Sequence, residues 1–68
     1  MTNRILTARE RSVFELLITN MSTKDIASKL NISEKTVRNH VSNVIQKLGV
    51  NGRACAVVEL LRLNELSL

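Results

Sequence analysis

Proline, tryptophan and tyrosine are absent from this chain, and histidine, cysteine and phenylalanine occur once each. One His and one Cys cannot assemble a zinc site, nor a Cys–His nucleophile pair with its orienting shell, and two glycines do not make a phosphate-cradling loop. The acidic residues are scattered among basic ones, with no pair set apart as acid and base, so no catalytic residue, metal or cofactor is expected. With Phe14 as the sole aromatic there is no stacking platform for single-stranded nucleic acid. Lone Cys55 makes no internal disulfide, which fits a reducing cytoplasm, and reads as a buried small hydrophobe without a functional role. No apolar run approaches the ~20 residues of a membrane span, and no signal-peptide pattern opens the chain. A cytoplasmic binding module without a membrane partner is the expectation.

What is there is a single domain's worth of chain, 68 residues with 44% hydrophobic content and a net charge of +4. So short a chain buries a marginal core, and a partner surface would help it. Charge count alone is equally well explained by a solvated face, but its placement is more telling. Six of the ten cationic residues lie between Lys24 and Arg53, against Asp25 and Glu34 alone. A basic stripe confined to part of a fold is the footprint expected for a phosphate backbone.

Four helices are punctuated by the remaining residue types. Thr7 and Glu10 form a capping box after Leu6, and Val13, Phe14, Leu16 and Leu17 make an apolar stripe that should end near Asn20. Ser22 opens a second helix with Asp25 as its box partner; Ile26, Ala27 and Leu30 face inward, and Asn31 ends it. Ser33 caps a third helix that runs to about Leu48 and stops at Gly49. Asn51 is expected to cap a fourth, spanning about 53–63, with Asn64 leaving a short tail. No segment alternates with period two, so the predicted fold is all-α, a four-helix bundle.

The second and third helices, about 22–48, carry the pattern of a helix-turn-helix. Only Asn31, Ile32 and Ser33 separate them, so they must cross steeply. Ala27 permits the close approach, Asn31 tolerates positive φ, Ile32 plugs the turn and Val37 anchors the following helix. At about 100° per residue, Val37, Val41, Val44 and Leu48 form a buried stripe, with Lys35, Arg38, Asn39, Ser42 and Gln46 opposite. Beyond Glu34 that outer face lacks the acidic partners of an ordinary solvated helix, and its side chains suit base edges and phosphates in a major groove. His40 lies off the centre of the buried stripe and reads as a half-buried packing and hydrogen-bonding residue.

The fourth helix is apolar almost all round. Val57, Leu60 and Ala56 can serve the core, while Ala54, Val58 and Leu61 point partly elsewhere, and a second apolar strip is usually an interface. A homodimer through Ala54, Val58 and Leu61 would present two recognition helices to two half-sites. A more deeply buried helix in a monomer is the competing reading.

Leu6-Thr7-x-Arg9-Glu10, Lys24-Asp25-Ile26-Ala27, the run Ile32 to His40 and Lys47-Leu48-Gly49-Val50 together resemble the LuxR/FixJ-type DNA-binding domain over nearly the whole chain. The tail Gly52-Arg53-x-x-Ala56-Val57-Val58-Glu59-Leu60-Leu61-Arg62 is similar to that of the family's stand-alone sporulation regulators. Asp25 stands where the family more often has Glu, and Asn64 where it often has Gly. The resemblance implies a dimeric regulator that binds double-stranded DNA, activating some late mother-cell promoters and repressing others, spore-coat genes among them. By position, it places Arg38, Asn39 and Ser42 at base edges and Lys35, Thr36, Asn43 and Lys47 near phosphates. RNA polymerase is the expected protein partner. With no room for a phosphoacceptor or ligand-binding domain, activity should follow concentration, with no small-molecule ligand. A helix-turn-helix that docks on polymerase without reading DNA is the alternative, but it would not need a polar, cationic outer face on the third helix.

Overall fold

A computed structural model describes residues 5–67. The expectation about the chain's opening residues, that they carry no signal-peptide pattern, falls partly outside that range. Four helices follow one another: α1 Ala8–Leu17, α2 Thr23–Leu30, α3 Glu34–Leu48 and α4 Arg53–Arg62. No strand occurs among the described residues, and none of their helices is long and apolar enough to cross a membrane.

Each helix start has a local cause. The Thr7 hydroxyl accepts the Glu10 amide at 3.1 Å and the Glu10 carboxylate accepts the Thr7 amide at 3.0 Å, closing the expected box. Ser22 and Ser33 likewise accept the Asp25 and Thr36 amides, at 3.1 and 3.0 Å. The reciprocal bond expected from Asp25 is not made, its side chain being a methylene shorter than glutamate. The start of α4 differs from the reading of Asn51: Gly52, in extended backbone, is the cap residue and supplies no side-chain bond. Half-buried Val50 is held against the core, and the chain spends both Asn51 and Gly52 on the bend before α4 can begin.

The ends rely on left-handed residues. Asn31, Gly49 and Asn64 have φ of 59°, 66° and 61°. After each, an amide reaches back five residues: Ile32 to Ala27 at 3.0 Å, Val50 to Ile45 at 3.3 Å and Glu65 to Leu60 at 2.8 Å. Helix α1 stops at Leu17, short of Asn20, because Thr19 and Asn20 bond three residues back and tighten the last turn. Asn20, at φ 66°, then reverses the chain.

The core is Leu6, Val13, Phe14, Ile26, Ala27, Val37, Val41, Val44, Ala56, Leu60 and Leu66. Helix α3 is the hub: it packs against α1, α2 and α4. Leu66 was not foreseen, and it shows that the expected tail is docked. Arg11 of α1 donates through one Nη to the Glu65 carbonyl and through the other to the Glu65 carboxylate at 2.7 Å. Glu65 and Leu66 are both buried as a result.

Candidate nucleic-acid interface

Three valines set the rotation of α3. Val37, Val41 and Val44 are buried, so the opposite side of the helix must face out. Lys35, Arg38, Asn39, Ser42, Asn43 and Gln46 are all exposed there. About three helix turns therefore present amide, hydroxyl, guanidinium and ammonium groups in one continuous surface, with a spread of donors and acceptors suited to base edges. Where α2 packs against α3, Ala27 is buried and Asn31 is left-handed at the turn, as the turn pattern implied. Ile32 packs half-buried onto the core.

Not every candidate side chain is equally free. Arg38 donates to Glu34 one turn earlier at 3.3 Å, with 65% of its side chain exposed. An exposed i,i+4 pair contributes about 0.3–0.5 kcal/mol, small beside the 1–3 kcal/mol of a good bidentate base contact, so Glu34 steadies Arg38 without withholding it. Thr36 is half-buried, its hydroxyl 2.8 Å from that of Ser33 at the helix start. Lys47 reaches the other way: its Nζ donates to the Glu10 carboxylate at 2.5 Å and to the Ile5 carbonyl at 3.1 Å. It ties the last turn of α3 to the start of α1 and still exposes 37% of its side chain.

Burial pushes the Glu10 carboxyl up. The Lys47 hydrogen bond, the Thr7 amide and the charges of Lys47 and His40 outweigh it and hold the group below its ordinary value. Glu10 is thus a buried anion whose partners fasten α1 to the helix that carries the exposed face. His40 is half-buried, and its nearness to Glu10 is electrostatic.

On α4, Ala56 and Leu60 are fully buried, while Val57 and Leu61 are half-buried against the core. Val58 is 62% exposed, and Ala54 is exposed one turn before it. Val50, Ala54, Cys55, Val58 and Glu59 line a shallow, open depression on this outer side. Cys55 is therefore exposed rather than buried as expected. The core face of α4 centres on Ala56, and a residue one step earlier is rotated by about 100° away from it.

Comparison with known proteins agrees with this architecture. The family model described as bacterial regulatory proteins, luxR family, matches residues 4–60. The spore germination protein GerE of Bacillus subtilis is 69% identical over 64 residues, which cover 94% of this chain and 86% of that protein. The transcriptional regulatory protein DegU of Brevibacillus brevis is 52% identical over 85% of this chain, which spans only 25% of DegU. Among solved structures, that of the transcription factor GerE superposes with a TM-score of 0.93 at 65% identity, covering 96% of this chain and 97% of that one. The response regulator ChrA of a heme-sensing two-component system matches with a TM-score of 0.84 at 32% identity, over 97% of this chain but 33% of its own length. A capped four-helix fold, a helix-turn-helix with an outward polar helix and a family match across 4–60 converge: the chain belongs to the luxR family of bacterial regulatory proteins.

Proposed function

We propose that this chain regulates transcription by binding specific double-stranded DNA as a homodimer, with α3 lying in the major groove. The observation that carries the reading is the exposed face of α3, whose orientation is fixed by the buried Val37, Val41 and Val44. Arg38, Asn39 and Ser42 meet base edges, while Lys35, Thr36 and Asn43 approach the backbone and Lys47 adds its charge from its anchored position. Thr36 acts close to the helix start, where its hydroxyl is shared with Ser33.

The dimer forms through the outer strip of α4, with Val58 at its centre and Ala54 and the edge of Leu61 beside it. Twofold symmetry then sets two copies of α3 about one helical turn, roughly 34 Å, apart. The molecule's extents of 31 × 25 × 19 Å are compatible with that separation. The setting is sporulation, in line with the name of the B. subtilis relative. As the family resemblance implies, the regulator acts in the mother-cell cytoplasm, activates some late promoters and represses others, spore-coat genes included, and meets RNA polymerase at the activated ones.

Dimethyl sulfate protection on a duplex enriched from a randomised library tests the groove assignment. Guanine N7 atoms, which face the major groove, should be shielded in two patches about one turn apart. Adenine N3 atoms in the minor groove between the patches should remain reactive. Shielding confined to the minor groove would remove α3 from the groove assigned to it.

A further inference from the structure

Two residues outside the expected set stand beside the exposed face of α3. Thr23, the first residue of α2, and Arg53, the first of α4, line an open hollow of about 290 Å³ with Arg38, Val41, Ser42 and Ile45. Val41 is buried and Ile45 half-buried, so they form its floor, while exposed Arg38, Ser42 and Arg53 form its rim. No carboxylate lines it. Arg53 takes part in none of the ion pairs among the described residues, and the pair that holds Arg38 is exposed and weak. Two guanidinium groups and two hydroxyls line this hollow, and among the described residues the only acid paired with them is Glu34, in its exposed pair with Arg38, so the hollow suits an anion the size of a phosphate.

Position selects the source of that anion. Arg38 and Ser42 belong to the face proposed to enter the major groove, so the hollow opens toward the wall of that groove. The wall of a duplex groove is its sugar–phosphate backbone. We propose that Arg53, together with Thr23, grips one DNA phosphodiester per half-site in this hollow, extending the DNA contact beyond the helix-turn-helix onto α4. The assignment rests on the reading of α3 as the DNA-binding helix. It also gives α4 a second task, because the helix that would join two copies through Val58 then begins on the backbone of the bound duplex.

The test compares wild type with Arg53→Gln on a duplex that the wild-type protein has enriched from a randomised library. Arg53 is exposed, and a circular-dichroism melt establishes that the variant keeps its fold. Each neutralised phosphate contributes about 0.9 to the slope of log affinity against log salt, and a dimer carries one such contact in each half-site, so the variant's slope should be shallower by about 1.8. Between 50 and 200 mM salt it should lose roughly 12-fold less affinity than wild type, with unchanged base preferences. A methylphosphonate scan locates the contact without altering the protein: neutralising one phosphate per half-site should weaken wild type roughly tenfold and Arg53→Gln hardly at all. Thr23→Val should show a reduced response at that same phosphate. An unchanged salt slope together with an unchanged methylphosphonate profile in Arg53→Gln would overturn the phosphate seat while leaving α3 as the reader. If the wild-type protein enriches no sequence, the reading of α3 itself has failed, a result recognisable before any variant is made.

Discussion

Replacing Val58 with Asp separates the dimer from the fold. Val58 is 62% exposed, so its monomer contacts are few and the change should alter folding stability by no more than about 0.5 kcal/mol. Helix propensity adds little, since Val and Asp rank close together. In a twofold interface the same side chain would be covered. Burying a whole valine contributes about 1.5 kcal/mol at the low end of the range, and the exposed fraction about 1 kcal/mol per copy. Two copies give about 2 kcal/mol, or roughly 30-fold in the dimer dissociation constant, before any cost from two carboxylates facing an apolar strip. Sedimentation equilibrium should find Val58→Asp monomeric at concentrations where wild type is dimeric, with helical circular dichroism retained. Binding to a two-half-site duplex should fall far more than weak, salt-sensitive binding to arbitrary DNA. Leu61→Asp is the informative contrast, because Leu61 is half-buried against the core and its substitution should lower the melting temperature as well. A Val58→Asp protein that stays dimeric with its wild-type dissociation constant would refute α4 as the interface.

Four further outcomes follow from the ion pairs and the exposed thiol. Glu10→Gln should cost about 1 kcal/mol, some 4–8 °C in melting temperature, and flatten the acid limb of stability. Because the Glu10 carboxyl is held below its ordinary value of 4.5, its contribution is present above that value and is lost as pH falls through the lower folded one, which urea titrations at stepped pH would show. Lys47→Ala should both lower stability and weaken binding to every duplex alike, whereas an unchanged melting temperature would mean that the Glu10 contact is idle. Arg11→Met should destabilise by about 1–3 kcal/mol and speed hydrogen exchange at the amides of Glu65 and Leu66, because it leaves the buried Glu65 carboxylate unpaired. Cys55 should react rapidly with a maleimide in dilute protein and more slowly as dimer forms, and Cys55→Ser should bind DNA normally in reducing or oxidising buffer; equal labelling rates at all concentrations would argue against a covered strip.

Local chemistry made most of the helix limits legible. Thr7, Ser22 and Ser33 before apolar-periodic runs, and Asn31, Gly49 and Asn64 after them, act within a few residues of their partners. The two faces of α3 follow from helical geometry alone, since a stripe of Val37, Val41 and Val44 determines which side remains for Arg38 and its neighbours. Contacts that close across the chain left no such signal. Lys47 and Glu10 are 37 positions apart, and Arg11 and Glu65 are 54 apart, so neither spacing suggests a partner. Leu66 could have been suspected, because an apolar residue just past a left-handed Asn often packs back on its own helix. Cys55 could not be placed securely, since an almost uniformly apolar α4 does not specify which of its sides takes the core. Arg53 was visible as charge, but its place beside Arg38 depends on how α4 folds back along α3.

Base reading by α3 is tested most directly at Arg38. Wild type and Arg38→Ala would be used to enrich binding sites from the same randomised duplex library, with affinities measured on the best site. Arg38→Ala should lose about 1–3 kcal/mol on that site and lose base preference at one position per half-site, keeping the others. Enrichment profiles indistinguishable between the two proteins would contradict it.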